Sequence, residues 1–263
     1  MKKKDFLALL EERNDLSAIA RAEISADLKA HPERAKIYNQ YSKLAGNAPE
    51  YSINQIKTKV SNLNNHQVLF LGSSVTFGFG SLGESFVDFL WKRDGLKAIK
   101  DAENGTTLVN IDAFTAGDSY VARFQSDLKD PAPEVVVLQL STNDVRRGSK
   151  KLGEISDNHY DTKTITGAIE YILAEIKLLW QCPVIIFTNP DFGEPLYGKM
   201  VDRTLELKKK WKFELINLYH DPDFKNQPSL YMADPIHPTR AGYRDKWLPI
   251  FEQKLEKVLL KDS

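Results

Sequence analysis

Two adjacent serines, Ser73 and Ser74, close the apolar run Val68–Leu71 in the stretch VLFLGSSVTFGFG. A serine hydroxyl is a weak nucleophile until a base takes its proton. That base is most often a histidine held in one tautomer by a carboxylate. The segment DPIH supplies both partners three residues apart, Asp234 and His237, and Pro235 and Pro238 stiffen the turn that carries them. Charge developing on an attacked carbonyl needs fixed hydrogen-bond donors. Two further segments can provide them: Gly117 in AGDS, where backbone can come close to a substrate, and Asn143 in STND, through its side-chain amide. Together these residue types could carry out acyl transfer through a serine.

Residues so far apart in sequence meet only if a fold brings them to one rim. From His66 onward, short apolar runs alternate with helical patterns. Strands are expected over 67–72, 107–113, 134–141, 183–189 and 213–219. Helices are expected over 85–91, 119–129, 164–180, 195–211 and 239–260. Runs such as EVVVLQL lack polar alternation, as strands covered on both faces do. Five strands alternating with helices predict a parallel sheet with right-handed crossovers. Ligands then bind beyond the carboxyl ends of the strands. Ser73–Ser74, Gly117, Asn143 and the DPIH turn all fall just past such ends. The first 65 residues read instead as a helical extension. Phe6, Leu7, Leu10, Ile19, Ile24 and Leu28 lie at mixed helical spacing, and further helices are expected over 33–44 and 51–63. The expected organisation is an extension over 1–65 packed on a main domain over 66–263.

In order along the chain, GSSVTFG, AGDS, STND and DPIHPTRAGY resemble the blocks of the SGNH/GDSL hydrolases, over residues 67–245. The resemblance implies an α/β fold: a three-layer α/β/α sandwich with a flavodoxin-like five-stranded parallel sheet. It implies ester hydrolysis without metal or organic cofactor. It places the nucleophile at Ser74, the base and its orienting carboxylate at His237 and Asp234, and the oxyanion donors at the backbone of Ser74 and Gly117 and the amide of Asn143. Ser73 stands where the family has aspartate, and Ser141 where it has glycine. Ser73 is then expected to brace the nucleophile loop, and Gly72, Gly78 and Gly80 to permit tight turns and close approach of substrate.

Around this set, Phe77, Arg146 and Phe192 are candidate substrate contacts on the predicted loops, with Phe79 and Tyr197 as further lining. Arg146 belongs to the basic run RRGSKK, either a solvated loop or a lip for a negatively charged substrate. Arg123 could reach the site or pair along its own helix. His31, His66, His159 and His220 read as surface or structural, and no cluster has metal-site spacing. Cys182 reads as a small buried apolar residue. Lys+Arg and Asp+Glu both number 36, so no global field draws the chain to nucleic acid or an anionic membrane. Residues 1–15 lack the apolar core of a secretory leader, and no run is long enough to span a bilayer. The expectation is a soluble, cytoplasmic serine esterase. Its partner would be a small acyl ester, acetyl or short-chain, with an acylated carbohydrate as one candidate. The alternatives are a lysophospholipase or thioesterase, and a non-catalytic carbohydrate-binding module of the same fold. Oligomeric state is left open.

Overall fold

The computed structural model describes residues 3–110, 118–127, 131–147 and 150–260. The chain forms two compact units. One comprises residues 1–66, 74–98 and 226–257, and the other residues 67–73, 99–225 and 258–263.

The second unit holds the sheet. Its strands are β1 (Gln67–Gly72), β2 (Lys97–Ala102, whose first two residues belong to the first unit), β3 (Val135–Gln139), β4 (Val184–Thr188) and β5 (Glu214–Asn217), in the order β2-β1-β3-β4-β5. β1 runs parallel to β3, β3 to β4 and β4 to β5, with Leu71 opposite Leu138 and Leu138 opposite Ile186. This is the flavodoxin-like order, whose switch point lies between β1 and β3. Leu69, Leu71, Val136, Leu138, Val184 and Ile186 share a core cluster with residues of three helices, Tyr120–Asp127, Ile165–Glu175 and Pro195–Trp211. Val68, Phe70, Val135, Val137, Ile185 and Phe187, which alternate with them, are buried as well. Burial on both faces is why these strands show no polar alternation, and each fully buried side chain of this size contributes about 1.5–3 kcal/mol.

One strand lies elsewhere than the sequence suggests. The run over 107–113 was expected to be the second strand. Its residues 107–110 are not in the sheet, and 111–113 fall outside the described residues. Leu108 and Val109 are nevertheless fully buried, because their backbone N–H groups donate to the two carboxylate oxygens of Asp144 (2.7 and 3.3 Å). The strand is KAIKDA at 97–102, whose lysines suit a sheet edge.

The first unit opens with α1 (Lys3–Glu12), α2 (Ala18–Ala30) and α3 (Ala35–Tyr41). Ser17 caps α2 by accepting from the Ala20 N–H (3.0 Å). The buried stripe of α2 is Ala20, Ile24 and Leu28, so Ile19, expected inside, is off that face and 44% exposed. No α-helix forms over 51–63. Ile53–Gln55 makes one 3-10 turn and Val60 is fully exposed, since only Ile53 and Leu63 of this segment's large apolar residues find a core. The unit continues with the single turn Ser74–Phe77, the helix Phe86–Asp94 behind a Ser85/Asp88 capping box, and the C-terminal helix Leu248–Leu259. Phe86 stacks on Phe251 at 3.9 Å between centroids.

Candidate active site

β1 delivers the chain to Ser73 and Ser74. Ser73 is fully buried. Its N–H donates to Gln139 Oε1 (2.9 Å) and its hydroxyl accepts from Gln139 Nε2 (3.3 Å). A side chain at the end of β3 thus braces the residue before Ser74. Ser74 starts the short turn Ser74–Phe77, which the Gly78 N–H closes on the Ser74 carbonyl (3.0 Å). Gly78 then takes φ +91°, a conformation that favours glycine.

The DPIH segment is a loop closed on itself. The Ala233 N–H donates to the His237 carbonyl (2.8 Å), and Met232 and Pro238 form an isolated antiparallel bridge. Inside it, Asp234 Oδ1 accepts from the N–H groups of Ile236 and His237 (2.8 Å each). This leaves Oδ2 beside the imidazole, 2.8 Å from His237 Nδ1. On the other side of the ring, His237 Nε2 lies 2.8 Å from Ser74 Oγ. A proton on Nδ1, facing the carboxylate, leaves Nε2 as the acceptor for the serine hydroxyl. Burial pushes the Asp234 carboxyl up. Its bonds from His237, Tyr41 and the Ile236 N–H outweigh this and hold it well below the usual carboxylate range.

Two features of this arrangement carry no sequence signal. Tyr41, at the end of α3, donates its phenol O–H to Asp234 Oδ2. Asn47, fully buried, donates from its amide to the carbonyls of Gly80 (2.7 Å) and Tyr41 (3.0 Å) and accepts the Arg240 N–H (2.9 Å). Gly80 also plays a part different from the expected close approach of substrate. A Cβ built there would lie 2.7 Å from His237 Cβ and 2.6 Å from the Pro238 carbonyl. Phe79, a candidate for the pocket lining, packs edge-on against His237 (5.4 Å), Tyr38 (4.9 Å) and Tyr41 (5.6 Å).

The remaining candidates divide as follows. Gly117 lies outside the described residues. Asn143 follows β3 in the second unit and donates from Nδ2 to the Thr106 carbonyl (2.9 Å). Phe77 is buried in the turn after Ser74. Phe192 is half-buried, its ring 4.7 Å from that of Tyr197. Arg146 is exposed and pairs with Glu194 (3.1 Å). Arg123 is buried, paired with Asp101, and donates to the Gly72 carbonyl (2.6 Å), so it braces the end of β1. Burial pushes the half-buried Cys182 thiol up to about 11, which keeps it protonated at neutral pH. Among the described residues no group of side chains could hold a metal ion, and no helix is long and apolar enough to cross a membrane.

Residues 70–244 match the model of the GDSL-like Lipase/Acylhydrolase family. The chain belongs to this family. Membership places it among the ester hydrolases. No curated protein matches it significantly in sequence. Among solved structures it resembles a GDSL-like lipase candidate from Bacteroides ovatus, with TM-score 0.57 and 16% identity, covering 74% of this chain and 99% of that one. It also resembles the aryl esterase of M. smegmatis in its inhibitor-bound form (TM-score 0.56, 15% identity, 74% and 100% covered). A third is a carbohydrate acetylesterase family member from Sinorhizobium meliloti (TM-score 0.53, 14% identity, 74% and 99% covered). At these identities the likeness shows the fold, a five-stranded parallel sheet with helices.

Proposed function

We propose that the protein is a serine esterase for small acyl esters, with Ser74 as nucleophile, His237 as general base and acid, and Asp234 as the carboxylate that orients His237. The observation that carries this reading is the unbroken chain from Ser74 Oγ to His237 Nε2 and from His237 Nδ1 to Asp234 Oδ2, each link 2.8 Å. In the first half-reaction the bond from Oγ to the carbonyl carbon forms while the hydroxyl proton passes to Nε2. The tetrahedral intermediate collapses, the ester C–O bond breaks, and the same proton leaves with the alcohol. Water then repeats the sequence on the acyl-serine, giving up a proton to Nε2, and the acid departs as Ser74 regains its hydrogen. Asp234, held well below the usual carboxylate range, stays charged and stabilises the imidazolium that forms twice per turnover. The oxyanion donors in this reading are the Ser74 and Gly117 N–H groups and the Asn143 amide. The family match supports the reaction class. Similarity in fold to a carbohydrate acetylesterase family member supports a short acyl group.

The test is hydrolysis of p-nitrophenyl acetate and octanoate by the wild type and Ser74→Ala, with fluorophosphonate labelling in parallel. The wild type should prefer acetate and label at Ser74, and the variant should do neither while remaining folded. Equal rates in the two proteins would end the assignment. A strong octanoate preference would favour a lysophospholipase or thioesterase instead.

A further inference from the structure

We propose that Tyr41 is a positioning residue for the Asp234–His237 pair, so that the N-terminal helical segment is a working part of the esterase; this rests on the serine-esterase reading above. Asp234 Oδ1 is fully engaged by two backbone N–H groups of its own loop. Oδ2 accepts from the imidazole and, from 193 residues upstream, from the Tyr41 phenol. Two donors on one oxygen fix the carboxylate in rotation and in plane, and with it the direction in which His237 presents Nε2. The side chain of Asp234 is 29% exposed. Without the phenol, water would solvate that lone pair but would not fix the carboxylate's orientation.

The phenol is itself held by built structure. Tyr38, one turn earlier in α3, is buried, stacks on Phe6 (6.0 Å) and donates to Asp27 Oδ2 (2.9 Å). Asn47 binds the Tyr41 carbonyl and the Gly80 carbonyl with one amide group, which ties the end of α3 to the loop that abuts His237. Burial and the bond to Asp234 push the Tyr41 phenol far above its ordinary range, which keeps it protonated, and so a donor, at neutral pH. A merely structural tyrosine on this face would need its ring against Phe79; it would not need its hydroxyl on the carboxylate that faces His237.

Tyr41→Phe separates ring from hydroxyl. With p-nitrophenyl acetate, kcat should fall about ten- to a hundredfold, the size expected on losing a hydrogen bond to a charged group. KM should stay within about twofold and the protein should remain folded, its melting temperature lowered by no more than several degrees, because the ring contact with Phe79 survives. Wild-type kcat with wild-type KM would overturn the proposal, as would a parallel loss of folding and activity. A wild type that neither labels with fluorophosphonate nor hydrolyses esters would instead sink the underlying reading. Positioning would then be judged without turnover, by the proton NMR signal of the His237 Nδ1–H. The signal should shift or broaden in Tyr41→Phe, and an unchanged signal would refute the role.

Discussion

Gly80→Ala adds one methyl group at a point where the active-site loop has no room for it. Gly80 does not have a positive φ, so alanine suits its backbone and no conformational strain is expected there. The obstacle is contact. The new Cβ would sit 2.6 Å from the Pro238 carbonyl oxygen and 2.7 Å from His237 Cβ, against 3.4 Å or more for ordinary van der Waals contact. The backbone at 237–238 therefore has to retreat by about 0.7–0.8 Å, since neither partner is the end of a flexible side chain. That displacement acts on the histidine whose Nε2 is 2.8 Å from Ser74 Oγ, and it stretches a good hydrogen bond past its useful range. Misplacement near 1 Å costs about 10²-fold in rate, and overpacking a tight site costs about 1–3 kcal/mol in stability. Steady-state hydrolysis of p-nitrophenyl acetate, beside thermal unfolding, measures both. A folded Gly80→Ala protein within threefold of the wild-type rate would refute the claim that this glycine exists to admit His237.

Gln139→Leu should strand the buried Ser73 N–H, costing about 1–3 kcal/mol in denaturant unfolding; a loss under about 0.5 kcal/mol would mean Gln139 does not brace the residue before Ser74. Asp144 gives a pH signature. Burial pushes its carboxyl up to about 6, against the pull of Ser141 and of the Leu108 and Val109 N–H groups. A carboxyl whose folded value exceeds its unfolded one favours the folded state below the unfolded value, near 4, and loses that advantage as pH rises through about 6. Wild type should therefore lose stability relative to Asp144→Asn between pH 4 and 7, by on the order of 2–3 kcal/mol. Glu84, pushed up to about 7 first by burial, drifts the same way in both proteins and cancels in the difference. A flat difference would show that Asp144 does not titrate as argued.

The pattern of legibility follows from where the physical constraint is local. Strands buried on both faces announce themselves as apolar runs, and four of the five expected ones form within a residue or two of their expected ends. The helix expected over 195–211 forms over those residues because Pro195 can only begin it and Trp211 ends its buried face. The misplaced strand shows the converse. An edge strand with lysines three residues apart, Lys97 and Lys100, looks like a helix surface. A buried loop like Leu108–Val109 looks like a strand until one knows that a carboxylate 35 residues away will satisfy its N–H groups. Ser74, Asp234 and His237 could be proposed because a reaction demands such residue types and the family resemblance singles out Ser74 from Ser73; the structure sets the three in hydrogen-bond contact. Tyr41, Asn47 and Gln139 could not, because a phenol or an amide has no signature until its partner's position is known.

The three-residue spacing of Asp234 and His237 has a reason that goes beyond proximity. A carboxylate used to orient a histidine must not rotate, yet aspartate's terminal torsion is soft. In this loop the first oxygen accepts the N–H groups of the second and third residues that follow, and this is possible only when those residues turn back over the side chain. The same turn that carries the histidine thereby restrains the first oxygen and sets the second beside the ring. Among the described residues, the turn itself supplies that second oxygen only with the imidazole. A second donor has to come from another element. A helix ending in a tyrosine meets the geometric requirement: its reach is long, its hydroxyl lies at the tip, and its ring can rest on Phe79 while the hydroxyl touches the carboxylate. Local sequence therefore fixes how the acid faces the base, and the N-terminal helices fix how firmly it does so.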